Sequence, residues 1–153
     1  MVAVSLKKNN LDHNEIDEVI MGQVLTAGTG QNPARQAAVN AGIPISKPAH
    51  IINQVCGSGL RAVISGFQSI QLGEAKNIIS GGQENMSLAP HSIFYRDKKE
   101  ISESRLVDTM IYDGLTDAFN KYHMGVTCLL YTSDAADDLL CVDLGGRRII
   151  KKK

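Results

Sequence analysis

The chain has 153 residues, 43% of them hydrophobic, with Lys+Arg and Asp+Glu balanced at 16 each. That is enough apolar material for the core of one domain, and the neutral balance leaves no long-range field to draw nucleic acid or an anionic membrane surface. No apolar run approaches the length of a membrane span, and Lys7 and Lys8 break the early apolar stretch that a secretory signal would need.

In chain order, Val2 to Lys8 reads as the end of a helix running into a turn at Asn9-Asn10, with acidic Glu15 and Asp17 after it. Val19 to Leu25 is a short apolar strand. Gly28-Thr29-Gly30 breaks it before Pro33 opens a helix to about Ala41, and Gly42 stops that helix. Pro48 to Val55 reads as a second strand, its apolar run too short for a helix, and its last residue delivers Cys56. From Gly57 to Gly73, Leu60, Val63, Ile64, Phe67 and Ile70 recur at helical spacing. Ala62, Ser65, Gly66 and Ser69 make a second, small face on that helix, suited to close packing against another helix. Asn77 to Gly82 is a third strand ending in a glycine turn, and Met86 to Asp117 loses clear periodicity around Pro90 and Gly114. Strands alternating with helices in this order imply an α/β layer fold with parallel strands.

Two features in this pattern invite chemistry. Gly28-Thr29-Gly30 has the look of a phosphate-cradling turn, but a dinucleotide fingerprint needs a further glycine where Pro33 stands, so the glycines read as a turn. Cys56 carries more. A helix opening beside it aims unpaired N–H groups and the positive end of its dipole at the sulfur, favouring thiolate and marking Cys56 as a candidate nucleophile. Gly57 and Gly59 clear side chains from its flank, so an acyl group could approach the backbone closely and the Cys56 N–H could face an oxyanion. Ser58 reads as a cap or first-turn residue. The competing reading is a cysteine packed as a small hydrophobe at a strand end, and position alone leaves both open. The three cysteines, at positions 56, 128 and 141, form neither a disulfide framework nor a metal-ligand spacing, which fits a reducing, cytosol-like compartment.

The words around the cysteine extend the reading. Asp17-Glu18-Val19-Ile20-Met21-Gly22-Gln23-Val24, Gly28 through Ala37, Asn53 through Val63, Gly81 through Ser87 and Tyr122-His123-Met124-Gly125 stand in order along the chain. Together they resemble the amino-terminal half of a thiolase, of the acetyl-CoA acetyltransferase branch. The resemblance implies an incomplete thiolase-like layered fold, with residues 1–87 a partial α/β domain carrying the nucleophile and 88–127 a segment of the loop domain. It implies that Cys56 is the acyl-accepting residue and that His123 and Met124 line the channel for coenzyme A. No cofactor or metal is implied beyond the coenzyme A thioester itself as substrate. Glu84 reads as a structural cap or pairing residue, and His13, His50 and His91 match nothing in the family pattern. The helix with Arg35 and Gln36 would lie near a subunit contact.

The implied reaction is acyl transfer in two steps. Cys56 attacks an acyl-CoA thioester and releases coenzyme A, then a second acetyl-CoA, deprotonated at its methyl carbon, takes the acetyl group to give acetoacetyl-CoA. The family's activating histidine, second cysteine and water-orienting asparagine belong to a carboxyl-terminal half that this sequence lacks, so the chain alone is expected to be inactive. A parent homodimer or homotetramer, without nucleic-acid or membrane partners and cytoplasmic, is the accompanying expectation. Two other readings remain in view: a ketoacyl-synthase-like condensing enzyme, which shares the fold and the cysteine, and a noncatalytic α/β binding module in which Cys56 merely packs. Met86, Tyr122, His123 and Met124 favour thiolase.

Two further expectations follow from the resemblance. The family's first strand, the centre of a five-stranded sheet in the order three, two, one, four, five, is absent, so Val19–Leu25 and Asn77–Gly82 are expected to lose their shared neighbour, expose unpaired edges and leave the fragment poorly stable. After Thr127 the family wording stops, and residues 128–153, ending Arg147-Arg148-Ile149-Ile150-Lys151-Lys152-Lys153, read as a foreign, disordered tail translated from sequencing-adapter read-through. Asp134, Asp137, Asp138 and Asp143 oppose a nucleic-acid or lipid role for that basic end.

Overall fold

The structure, a computed structural model, describes residues 2–93 and 106–137. It falls into two units, residues 1–114 and 115–153. In the first, helix α1 (Val2–Asn9) leads through a short 3-10 turn at His13–Glu15 into strand β1 (Glu18–Gly22). Helix α2 (Pro33–Asn40), strand β2 (Ala49–Ile52), helix α3 (Ser58–Gln71) and strand β3 (Ile78–Gly82) follow, and strands β4 (His91–Ser92) and β5 (Val107–Asp108) form a separate antiparallel ladder. The α/β alternation read from the sequence is therefore the architecture.

Local chemistry explains the element ends. Asp12 accepts a hydrogen bond from Asn14 N–H while Glu15 accepts one from Asp12 N–H, so both orphan donors of the turn before β1 are satisfied. At α2 the Asn32 side chain caps Arg35 N–H and Pro33 occupies the first turn, where its missing N–H costs nothing.

The main sheet runs β2-β1-β3, all parallel, with Val19 opposite Ala49 on one side and Ile79 on the other. This corrects the expectation of a missing central strand. β1 and β3 are direct neighbours, in register from Glu18↔Ile78 to Gly22↔Gly82, and no gap separates them. Asp17 N–H donates to Asn77 carbonyl at 2.8 Å and its carboxylate accepts from Lys76 and Asn77 N–H, which pins the start of both strands. At the other end Gln83 N–H donates to the Gly22 carbonyl and Gln23 N–H to the Ile52 carbonyl. Among the described residues the unpaired sheet edges are the outer ones, of β2 and β3.

The strand period of two divides β1 between two faces. Val19 and Met21 join Val2, Leu6, Ile16, Ala34, Ala38 and Ile43 in the buried cluster under α1 and α2. Ile20 and Gly22 face the other way, toward α3. There the contact is made by small residues: Ser58, Ala62 and Gly66 are the buried positions of the helix. A Cβ placed on Gly22 would lie 2.3 Å from the Ser58 carbonyl carbon, and one on Gly66 would lie 2.4 Å from Ser80 Oγ. The small face thus packs on the sheet and not on another helix, because glycine and serine at Gly22, Ser80 and Gly82 let the helix backbone sink against the strands. Leu60 and Phe67, 69% and 60% accessible, point outward with Val63 and Ile70.

In the second unit, Thr116 bridges His123 across a tight turn, and helix α4 (Met124–Asp137) follows. The turn is closed by Asp117 N–H donating to the Tyr122 carbonyl at 2.8 Å and by Lys121 in the left-handed region at φ 63°. α4 runs through the boundary at Thr127 where a disordered tail was expected, so residues 128–137 are helical; Cys141 and the basic end lie outside the described residues.

Candidate active site

β2 ends at Ile52, earlier than the expected Val55, and α3 begins at Ser58. Cys56 therefore sits on a tight connection between them and not on the strand. Asn53 Oδ1 accepts from Val55 N–H at 3.0 Å, which turns the chain away from the sheet, and Gly57 N–H donates to the Gln54 carbonyl at 3.0 Å. Between these, Val55 is held at φ 48°. A β-branched residue in the left-handed region is an outlier whose cost is about 1–3 kcal/mol, and such residues persist where neighbours over-determine them. The 47% exposure of Val55 shows that burial of its side chain is not what holds it.

The sulfur-bearing residue itself is exposed and its thiol is free. This removes the reading of Cys56 as a packed core hydrophobe. The N–H groups of Gly57 and Ser58 are spent on the Gln54 and Val55 carbonyls, whereas those of Cys56, Gly59 and Leu60 donate to no atom among the described residues. The fourteen-residue helix opens two residues after the thiol, with its positive end at this turn. An oxygen developing negative charge next to Cys56 would find donors there.

Gly57 and Gly59 face the protein's own backbone. A Cβ on Gly57 would lie 3.3 Å from the Gln54 carbonyl oxygen, and one on Gly59 would lie 3.6 Å from the Gly82 Cα. Their first service is to let the turn close and the helix approach β3. Gly22 completes this contact from β1, and nothing in an apolar strand pattern singled it out. Asn53 and the Ser58 hydroxyl were also missed as turn-forming groups, although short polar side chains flanking a turn are the available signal.

Glu84 caps the loop after β1: its carboxylate accepts from Val24 N–H at 2.8 Å and Leu25 N–H at 3.3 Å. Arg35 donates to the Ile45 and Lys47 carbonyls and Gln36 to those of Thr29 and Gln31, so both are occupied in bracing loops around α2. His50 lies 3.0 Å from Glu18 across neighbouring strands.

His123 and Met124 belong to the second unit. The exposed His123 ring caps α4, its Nδ1 accepting from Gly125 N–H at 3.0 Å. Met124, half-buried, opens the helix. Among the described residues no cluster of His, Cys, Asp or Glu has the numbers to hold a metal ion, and no helix is long and apolar enough to cross a membrane.

Comparison with known proteins identifies the family. Residues 1–135 match the thiolase N-terminal domain family. An acetyl-CoA acetyltransferase of Pseudomonas aeruginosa is 57% identical over 123 residues, covering 80% of this chain and 31% of the relative. One from Rhizobium meliloti is 56% identical over 122 residues with the same coverage, 80% and 31%. The crystal structure of Acat5 thiolase from Ascaris suum in complex with coenzyme A superposes with a TM-score of 0.82 at 36% identity, covering 89% of this chain and 35% of that one. The chain spans about a third of the length of the relatives it matches, 31% in the first case. A free, exposed cysteine on the turn between β2 and α3, in a chain so matched, places the protein in the thiolase family as an amino-terminal domain.

Proposed function

We propose that Cys56 is the acyl-accepting nucleophile of an acetyl-CoA C-acetyltransferase, and that this chain supplies the first half of its active site. The observation that carries the reading is the turn itself, where an exposed free thiol stands two residues before a helix start and its own N–H meets no acceptor among the described residues. In the forward direction the Cys56 sulfur attacks the thioester carbonyl of acetyl-CoA, the carbonyl oxygen gathers negative charge near the Cys56 N–H, and coenzyme A leaves as its thiol once protonated. The acetyl group then passes to the carbanion of a second acetyl-CoA, giving acetoacetyl-CoA and restoring the thiol; thiolysis is the reverse.

His123, an exposed ring, and Met124, an adaptable apolar surface, are proposed to line the path of the pantetheine arm. Gly57 keeps the turn narrow, and Gly59 lets the start of the helix approach Gly82. The residues needed to deprotonate the second acetyl-CoA are proposed to lie outside this chain, which covers 31% of the first matched relative, so the 153-residue chain is proposed to turn over negligibly by itself. The complete protein is proposed to be cytoplasmic and a homodimer or homotetramer, with acyl-CoA its small-molecule partner.

The test is mass spectrometry of the full reading frame after brief exposure to acetyl-CoA. A mass increase of one acetyl group on the peptide containing Cys56, abolished by Cys56→Ser, is the expected result. Acetylation elsewhere, or full turnover by Cys56→Ser, would remove the proposal. In parallel, thiolysis of acetoacetyl-CoA by the 153-residue chain alone should be negligible beside the complete enzyme.

A further inference from the structure

We infer that Ser58 is a positioning residue for Cys56, its buried hydroxyl acting as the brace that holds Val55 in its left-handed conformation and thereby fixes the direction of the thiol and its amide. The inference deepens the acyl-transfer reading and rests on it. Ser58 is 4% exposed, and its hydroxyl is fully engaged. It accepts from Gln54 N–H at 2.9 Å and donates to the Val55 carbonyl at 2.6 Å. The same carbonyl also receives Ser58 N–H at 3.1 Å. One hydroxyl therefore grips the residue on the amino side of Val55 and the carbonyl of Val55 itself, across the peptide that leads into Cys56.

A helix-capping serine would reach forward to an N–H of its own first turn. This one reaches backward into the loop, while the first-turn amides of Gly59 and Leu60 stay open. The hydroxyl thus satisfies the strained connection and takes no part in capping the helix. Ser58 in turn cannot drift, because its backbone lies against the position a Cβ of Gly22 would fill. The chain of support runs from Gly22 on the central strand, through Ser58, to Val55 and Cys56.

The brace and the strain should be coupled, and a double-mutant cycle on the full chain reads that coupling. The probe is the rate of Cys56 carbamidomethylation by iodoacetamide at neutral pH, followed on the Cys56 peptide by mass spectrometry so that Cys128 and Cys141 do not contribute. With Val55 present, Ser58→Ala is expected to slow the reaction about fivefold, the factor carried by one ordinary hydrogen bond. Ser58→Thr, which keeps the hydroxyl, should restore most of the rate. In the Val55→Gly background, where positive φ needs no brace, the same Ser58→Ala change should move the rate less than about twofold.

Equal losses in both backgrounds, or an unchanged Cys56 rate in Ser58→Ala, would overturn the inference. If Ser58→Ala fails to fold with Val55 but folds with Gly at that position, the brace is supported; failure in both backgrounds makes Ser58 a core residue only and overturns it. A chain that follows the expected cycle yet takes no acetyl group from acetyl-CoA in the complete enzyme would sink the acyl-transfer reading and leave the brace standing.

Discussion

The two faces of the β2-β1-β3 sheet are built on different principles. On one, Val19 and Met21 interdigitate with Leu6, Ile16, Ala38 and Ile43, and stability comes from side-chain volume removed from water. On the other, where Ile20 is the large buried side chain of β1, α3 lies on Gly22, Ser80 and Gly82 through Ser58, Ala62 and Gly66, so closely that backbone meets backbone at Gly22 and Gly82. The first face makes a core. The second fixes a position, the start of α3, to which the Cys56 turn is attached, and leaves Leu60, Val63 and Phe67 outside. An amphipathic helix with its larger apolar face turned away from its own sheet shows that hydrophobic periodicity reports a helix and its stripe, not which side meets the nearest neighbour.

Substitutions can break that contrast. Met21→Ala, in the volume-filled face, should cost about 3 kcal/mol in urea unfolding because it deletes a fully buried side chain. Gly22→Ala adds a single carbon on the other face and should cost about 2–3 kcal/mol, since Ser58 and Gly59 backbone must move to admit it. The two should differ at the site: Gly22→Ala alters the Cys56 alkylation rate, whereas Met21→Ala, once refolded under stabilising conditions, leaves it near the parent value. A Met21→Ala chain with the greater change at Cys56 would erase the distinction.

Acid should weaken the tie between β1 and β3. Hydrogen bonds from Lys76 and Asn77 N–H, with a smaller contribution from Lys47, hold the Asp17 carboxyl below its ordinary value. A carboxyl depressed in the folded chain stabilises it above the unfolded value, near 3.9, and that contribution is lost as pH falls through the folded value. Unfolding free energy should therefore decline on acidification below about pH 5, and Asp17→Asn should flatten part of the decline. An identical acid profile for the variant would mean that the carboxylate does not join the strands. The smallest effect is expected outside: Phe67→Ser should change stability by no more than about 0.5 kcal/mol while lowering aggregation. A loss as large as that of Met21→Ala would show that α3 buries its outer face in the isolated chain.

Much of this was legible in the residues. Apolar runs bounded by Gly28, Gly42 and Pro48 mark the strands and α2, and the β1, α2 and β3 elements lie within a few residues of where periodicity puts them. The neighbourhood of Cys56 was legible as a resemblance and as a helix start, but not as a turn. Val55 reads as strand because it is apolar, yet Asn53 and Ser58 capture its N–H and carbonyl and bend it into the left-handed region. The direct pairing of β1 with β3 was hidden for a related reason: strand order is written in long-range contacts such as Asp17 with Lys76 and Asn77, which no local pattern encodes. His123 was legible as a family residue, while its hold on Gly125 N–H depends on the turn at Lys121 that precedes it.

Cys56 and Cys128 provide an internal comparison, since both are free and exposed in one chain. Cys56 stands on a braced turn two residues before a helix start, whereas Cys128 lies within α4. The direct measurement is the ratio of their carbamidomethylation rates by iodoacetamide in the same sample at neutral pH, each read on its own peptide. The account predicts Cys56 faster by about tenfold or more, as thiols activated by a helix start are. Equal rates, or a faster Cys128, would contradict it.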